Sequence, residues 1–245
     1  MPNETAFPVV VMLRHAQSEW NAEGRFTGWA DPALTPLGRA EAASAAARLA
    51  ARGFRFDQAY SSRLTRARET AVRVLQDSGN GAVPLVEDWR LNERHYGDLQ
   101  GRIRAQVAER VGAAQVWRWR RGYLDLPPAL AAGDSRHPAR DPRWADVDPA
   151  RLPNGESLAG TRERVMDFWR SQIQPRLQAG SRLLIASHGN TLRALLMALD
   201  GMSVEQVEGF EIPTGVPIVY AFSPRGEPLG WHYLTGDDTA ARDAA

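Results

Sequence analysis

The chain has 245 residues, 43% of them hydrophobic, enough to bury a sizeable core as one large α/β domain or two small ones. Its formal net charge of +1 gives no global field that would favour nucleic acid or an anionic membrane. The absence of cysteine excludes disulfides, thiolate catalysis and thiolate metal sites. No apolar run approaches the roughly 20 residues of a membrane helix, and the N-terminus lacks a basic, then apolar, signal layout, so the expectation is a cytoplasmic protein. All 30 basic residues are Arg, a chain-wide bias and not a local design.

Pro8 to Leu13 (PVVVML) is a β-branched apolar run that predicts a buried strand. A polar, glycine-containing loop reaches Ala33, and Thr35-Pro36 then caps an Ala-rich helix running to Gly53. Asp57 to Ser61 predicts a second strand, Arg63 to Gln76 a second helix, and Val83 to Val86 a third strand. The polar segment 88–97 follows, and residues 105 to 121 have helical periodicity. From Tyr123 to Gly155 the chain is dense in Pro, Asp, Gly and Arg and is read as an insertion, either ordered or a mobile lid. Thr161 to Leu177 predicts a helix and Arg182 to Ala186 a buried strand. Thr191 to Leu199 predicts a helix stopped by Gly201, and Val216 to Phe222 a strand that closes the sheet. From about residue 235 the Ala- and Asp-rich end reads as a loose tail. Strands alternating with helices imply a mainly parallel sheet covered on both faces, a three-layer α/β/α sandwich. No repeat or linker divides the chain, which reads as a single domain over 1–245 with the insertion as its one candidate subdomain.

Two histidines share a context. His15 and His188 each fall just past the end of a predicted buried strand, the edge where open α/β sheets bind ligands. Each has an anion-binding neighbour: Arg14 before His15, and the helix opened by Gly189-Asn190 after His188, whose free N–H groups and dipole suit a phosphate. A neutral imidazole is a good nucleophile toward phosphorus, and the transferring group, with charge spread over three oxygens, needs fixed cations. Arg14, Arg66 and the cluster Arg118, Arg120 and Arg121 are candidates because a guanidinium meets two oxygens at once. With 30 arginines in the chain, any one of these reads equally as a solvated surface charge. Glu93, in a segment too polar for core and too aromatic for a plain loop, is a candidate general acid and base; the other reading is a surface Glu93–Arg94 pair. Neither histidine has a partner at helical metal-ligand spacing.

Leu13-Arg-His-Ala-Gln-Ser-Glu-Trp-Asn21 and Arg25-Phe-Thr-Gly-Trp29 resemble the signature of the histidine phosphatase superfamily, and within it the 2,3-bisphosphoglycerate-dependent phosphoglycerate mutases. The resemblance continues through Leu91–Gly101, Trp119–Gly122, Gly155–Leu158, Ser187–Asn190 and Ile212–Pro217, and so covers residues 8 to about 234. It implies that His15 carries the phosphate and that Glu93 moves the proton. His188 stabilises the transferring group, with Arg14, Ser18, Asn21, Arg66, Gly189 and Asn190 also holding it. Thr27, Gly28, Tyr96, Arg104, Arg120 and Arg121 bind the carboxylate and second phosphate of a phosphoglycerate. It further implies interconversion of 3- and 2-phosphoglycerate in glycolysis and gluconeogenesis, 2,3-bisphosphoglycerate as primer, no metal, and a homo-oligomer, dimer or tetramer. Three positions depart from the family pattern. Ala16 stands where Gly is usual, Gln17 replaces an acid, and Arg104 stands for Lys, a swap that follows the lysine-free composition. A phosphatase of the same superfamily is the nearest rival; the Trp-Arg-Arg-Gly segment and the long insertion, which can shield a phosphohistidine from water, favour the mutase. An inactive binding paralogue is a third reading, against which stand the retained His15, Glu93 and His188.

Overall fold

The computed structural model describes residues 8–131 and 133–235. Six strands form one sheet: β1 (Val9–Arg14), β2 (Gln58–Ser61), β3 (Leu85–Glu87), β4 (Arg182–Ser187), β5 (Pro217–Phe222) and β6 (Pro228–Tyr233), in the order β3-β2-β4-β1-β5-β6. The pairings β2·β3, β2·β4 and β1·β4 are parallel, whereas β1·β5 and β5·β6 are antiparallel. The fold is thus an α/β sandwich on a mostly parallel sheet. β5 does not close it. The edge is β6, whose glycine and polar residues (PLGWHY) hide the strand pattern in the sequence.

Alternation along β1 explains the two covered faces. Val10 and Met12 join Tyr60 and Ile185 under the helices α6 (Leu158–Phe168) and α8 (Gly189–Asp200). Val9, Val11 and Leu13 join Ala59 and Leu184 under α2 (Pro36–Ala51) and α3 (Thr65–Asp77). The Thr35 hydroxyl accepts from Gly38 N–H at 3.0 Å to start α2. Position 38 must be glycine because a Cβ there would sit 2.1 Å from the Gln17 carbonyl oxygen. That close approach presses the head of α2 onto the loop that carries His15.

The 105–121 helix is two helices, α4 (Arg104–Val111) and α5 (Ala113–Arg121), because Gly112 takes a φ of 88° between them. Residues 158–178 run as α6, a π-helical turn at Trp169–Ile173, and α7 (Gln174–Gln178) with Pro175 in its first turn. Two short helices carry too few residues for a periodic signal: α1 (Glu19–Ala22) and α9 (Val204–Gly209). Gly201 ends α8 in the left-handed conformation, as its position predicts. The 123–155 segment holds three 3-10 turns, each begun by a proline. It lies on the body through Trp144, buried against Trp29 at a ring distance of 4.8 Å, and through the Arg63–Asp146 and Arg143–Asp31 ion pairs. The tail anticipated from about residue 235 lies almost wholly outside the described residues. No helix among the described residues is long and apolar enough to cross a membrane.

Candidate active site

β1 and β4 are parallel neighbours with Arg14 opposite Ser187, and the His15 N–H extends the ladder by one bond to the Ser187 carbonyl at 2.8 Å. The residues immediately after two paired strand ends are therefore brought together, and the His15 and His188 rings lie 4.9 Å apart. This is the carboxyl edge of the sheet, at the strand where the connection order reverses.

His15 is almost fully buried. Its Nδ1 lies 2.7 Å from the Ala16 carbonyl, which can only accept, so Nδ1 carries the proton and Nε2 presents a lone pair. The Arg66 Nε–H points at that Nε2 from 3.3 Å. Burial first, then the charges of Arg66 and Arg14, hold the His15 pKa well below the usual imidazole value. The result is a neutral imidazole oriented by its own backbone. Ala16 itself is not strained: no described non-glycine residue has a positive φ. Its N–H donates to the Thr70 hydroxyl at 3.1 Å, and its methyl group fills a small core with Leu34 and Ala42.

His188 is the N-cap of α8. Its Nε2 is 2.7 Å from the Ser62 hydroxyl, whereas its Nδ1 is buried with no protein partner among the described residues. Burial and then Arg66 and His15 also push its pKa well down. Nδ1 is thus the ring atom left for a ligand.

Arg66 is fully buried on α3, donating to the Gly28 and Ala30 carbonyls at 2.8 Å each. Gly28 has a φ of 55°, and a Cβ there would meet Gln100 Oε1 at 2.3 Å, so the loop can pass between Arg66 and Gln100 only as glycine. Burial lowers the Arg66 pKa to about 10; it remains a cation, with carbonyls and His15 as partners and no carboxylate. Arg14 donates to the Ile212 carbonyl at 2.6 Å, while its Nε has no partner among the described residues.

Glu93 lies in a buried polar segment pinned from every side. The Ser187 hydroxyl donates to the Leu91 carbonyl at 2.7 Å, and the Thr191 hydroxyl to that of Asn92 at 2.6 Å. Trp29 Nε1–H and Arg164 donate to the Glu93 carbonyl at 2.6 and 3.0 Å. Arg164 is held in turn by a buried two-pronged ion pair with Glu156, at 2.7 and 2.9 Å. Glu93 Oε1 accepts from the Arg94 and Asn190 amides at 2.8 and 3.2 Å, which leaves Oε2 without a partner among the described residues. The surface Glu93–Arg94 pair does not form. The Arg94 side chain is fully buried and donates to the carbonyls of Gly122 and Trp119 and to the Tyr96 hydroxyl.

One open cavity collects these groups. Of the residues named from sequence, Arg14, His15, Asn21, Thr27, Gly28, Arg66, Glu93, Tyr96, Arg104, Arg120, Arg121, Gly189 and Asn190 line it. Ser18 does not. Its buried hydroxyl caps α1, donating to Asn21 Oδ1 at 2.9 Å, and so holds Asn21 in place. His188 sits behind His15, and Arg118 is exposed on α5 away from the cavity. No described residue of 123–155 lines the cavity; the segment straps the body at Trp29, whose indole supports the Glu93 carbonyl. The lining includes Arg25, Phe26, Arg193, Glu211 and Ile212, which sequence reasoning missed. Arg193 had a signal, an arginine three residues after Asn190 in an otherwise apolar helix. Seven arginines against Glu93 and Glu211 make the cavity strongly anion-attracting. Among the described residues no set of His, Asp and Glu converges as metal ligands.

Solved structures share the fold. A mycobacterial glucosyl-3-phosphoglycerate phosphatase superposes with a TM-score of 0.69 at 23% identity, covering 92% of this chain and 97% of its own. A candidate α-ribazole-5′-P phosphatase from Escherichia coli gives 0.68 at 22%, covering 93% and 94%. A phosphoglycerate mutase from Bacillus anthracis gives 0.65 at 21%, covering 92% and 93%. At these identities the likeness shows the fold alone. The sequence model of the histidine phosphatase superfamily (branch 1) matches residues 10–141 and 129–230. The chain, with His15 and His188 paired at the sheet edge, belongs to the histidine phosphatase superfamily, a superfamily of phosphoryl-transfer and phosphate-hydrolysing enzymes.

Proposed function

We propose that the protein interconverts 3-phosphoglycerate and 2-phosphoglycerate through phospho-His15. The observation that carries this reading is the excess of cations beyond what one phosphoryl group needs. Besides Arg14 and Arg66 beside the nucleophile, Arg25, Arg104, Arg120 and Arg121 come to the same cavity from other elements. Desolvation and mutual repulsion lower the pKa values of Arg104 and Arg121, which fits a second anionic end in the ligand, a carboxylate or another phosphate.

In this reading the His15 Nε2 lone pair forms the N–P bond as the substrate P–O bond breaks. The Glu93 carboxyl gives its proton to the departing alkoxide oxygen. Arg14, Arg66 and the α8 N-terminus stabilise the equatorial oxygens, and the His188 ring backs His15 from 4.9 Å. In the other half-reaction a hydroxyl of the monophosphoglycerate attacks the phosphorus of phospho-His15, Glu93 takes its proton, and the N–P bond breaks to release neutral His15. The 2,3-bisphosphoglycerate so formed reorients to return its other phosphate to His15. 2,3-Bisphosphoglycerate primes the cycle by phosphorylating His15. The second reading, a phosphomonoesterase in which water accepts the phosphate, is favoured by the absence of any described residue of 123–155 from the cavity lining. Enolase-coupled turnover of 3-phosphoglycerate, dependent on catalytic 2,3-bisphosphoglycerate, is expected. Release of inorganic phosphate with little 2-phosphoglycerate would replace the mutase by the hydrolase. An acid-labile phosphate at a residue other than His15, located by mass spectrometry, would sink both.

A further inference from the structure

Tyr96 has an unusual set of neighbours. Its hydroxyl oxygen receives a hydrogen bond from Asn190 Nδ2 at 3.1 Å and a longer one from Arg94 at 3.4 Å. A phenol oxygen accepts two bonds and donates one. Its proton therefore has no place among those donors, finds no acceptor among the described residues, and is left for the cavity that Tyr96 lines. The direction of the Asn190 amide decides this, and a third residue decides that direction. Arg193 donates to Asn190 Oδ1 at 2.9 Å; since a guanidinium only donates, the amide oxygen must face Arg193 and the NH₂ must face Tyr96. Arg193 is itself immobilised. Its Nε–H reaches the Val207 carbonyl at 3.1 Å, and its second terminal nitrogen reaches that carbonyl and, at 3.2 Å, the carbonyl of Arg121.

We propose that Arg193 is a positioning residue that fixes the Asn190 amide and so makes Tyr96 a donor only, matched to an anionic phosphoryl or carboxylate oxygen of the ligand. Arg94 acts in the same sense. Burial alone would raise the Tyr96 pKa, yet the Arg94 charge and hydrogen bond, with Arg120, outweigh it and bring it below the ordinary phenol value, which strengthens the donor. Without Arg193 the amide can turn and accept the Tyr96 proton, and the ligand loses it.

The proposal rests on the phosphoryl-site reading but not on the choice between mutase and hydrolase. Its test is a double-mutant cycle on 3-phosphoglycerate binding, measured by calorimetry in the non-reacting His15→Ala background. Inorganic phosphate is titrated alongside. Arg193→Met, run in parallel with Arg193→Gln so that one folded variant suffices, should weaken 3-phosphoglycerate about tenfold, the loss of one hydrogen bond to an anion. In a Tyr96→Phe background the same change should cost less than about twofold. Equal losses in both backgrounds, or none in either, overturn the relay while phosphate binding leaves the site reading intact. Failure of the His15→Ala parent to bind either ligand overturns the site reading and the relay with it.

Discussion

At the scale of single residues, the chemistry depends on which ring atoms are free. The Ala16 carbonyl fixes Nδ1 of His15 as the protonated nitrogen, and Ser62 occupies Nε2 of His188, so the protein engages opposite ring atoms of the two histidines. His15→Ala should abolish turnover and acid-labile phosphate capture together, as measured by coupled assay and mass spectrometry. Glu93→Gln keeps the shape but removes the proton, and kcat should fall by about 10²–10⁴ with little change in KM; an unaltered kcat would assign proton transfer elsewhere. Ala16 is one of the three positions that depart from the pattern of the resemblance. Its ordinary backbone and its methyl packed on Leu34 and Ala42 predict that Ala16→Gly loses about 1 kcal/mol of stability in chemical denaturation without gaining rate. Both histidines and Glu93 were legible because they stand at strand ends or in a recognisable segment. The positions of Arg193 and Ser18 relative to the cavity were not, since Arg193 is held by the Val207 and Arg121 carbonyls and Ser18 turns inward to cap α1.

At the scale of elements, legibility followed the strength of periodicity. The interior strands β1, β2 and β4 and the helices α2 and α8 follow directly from apolar runs, caps and a terminating glycine. The edge strand β6 escaped because an edge needs no continuous apolar run, and the α4–α5 break because one glycine φ decides it. The strap was visible only as composition. What its Pro and Asp residues do is begin tight turns that carry Trp144 into a buried cluster with Trp29, Trp89 and Leu64. Trp29 in turn donates to the Glu93 carbonyl, and the carbonyls on either side of it receive Arg66. Trp144→Ala should therefore cost roughly 3–5 kcal/mol and lower kcat as Trp29 loosens. Arg143→Ala, on the same strap but half exposed, should cost under about 1 kcal/mol and leave kcat unchanged. Thermal melts and initial rates on the two variants separate packing from surface charge; equal effects would remove the strap from the support of the site.

At the scale of the whole molecule, the sheet concentrates cost at one edge. Arg66, Arg94 and Arg193 are buried without carboxylate partners, and burial lowers the Arg193 pKa to about 9. An anion that binds only the folded chain should relieve this. Inorganic phosphate at 100 times its dissociation constant should add about 2.7 kcal/mol, read as a rise in Tm that sodium chloride at equal ionic strength does not reproduce. The buried histidines set the pH response of the empty protein. His15, His188 and His95 all have lowered pKa values, that of His95 falling to about 4 through burial. Between those values and 6.5 the unfolded chain binds protons that the folded chain refuses, so stability falls as pH drops below about 6.5 and is regained above it. For His95 alone the loss at pH 5 is on the order of 2 kcal/mol. Denaturation midpoints at pH 7.5 and 5 test this, and a midpoint that rises on acidification contradicts it.

The register that pairs β1 with β4 also governs when the site can exist. His15 directly follows the first strand, yet that strand's parallel neighbour β4 and the histidine directly after it come after most of the chain. During synthesis β1, β2 and β3 are all made before the strand that must slot between β1 and β2. A nascent chain up to residue 180 thus holds His15 with neither the Ser187 carbonyl that anchors its amide nor the His188 ring. The paired geometry of the two histidines therefore requires β4 in place. A partly made chain can hold the His15 ring through Ala16 and Arg66, but it lacks the His188 ring 4.9 Å away and the Ser187 carbonyl that anchors the His15 amide.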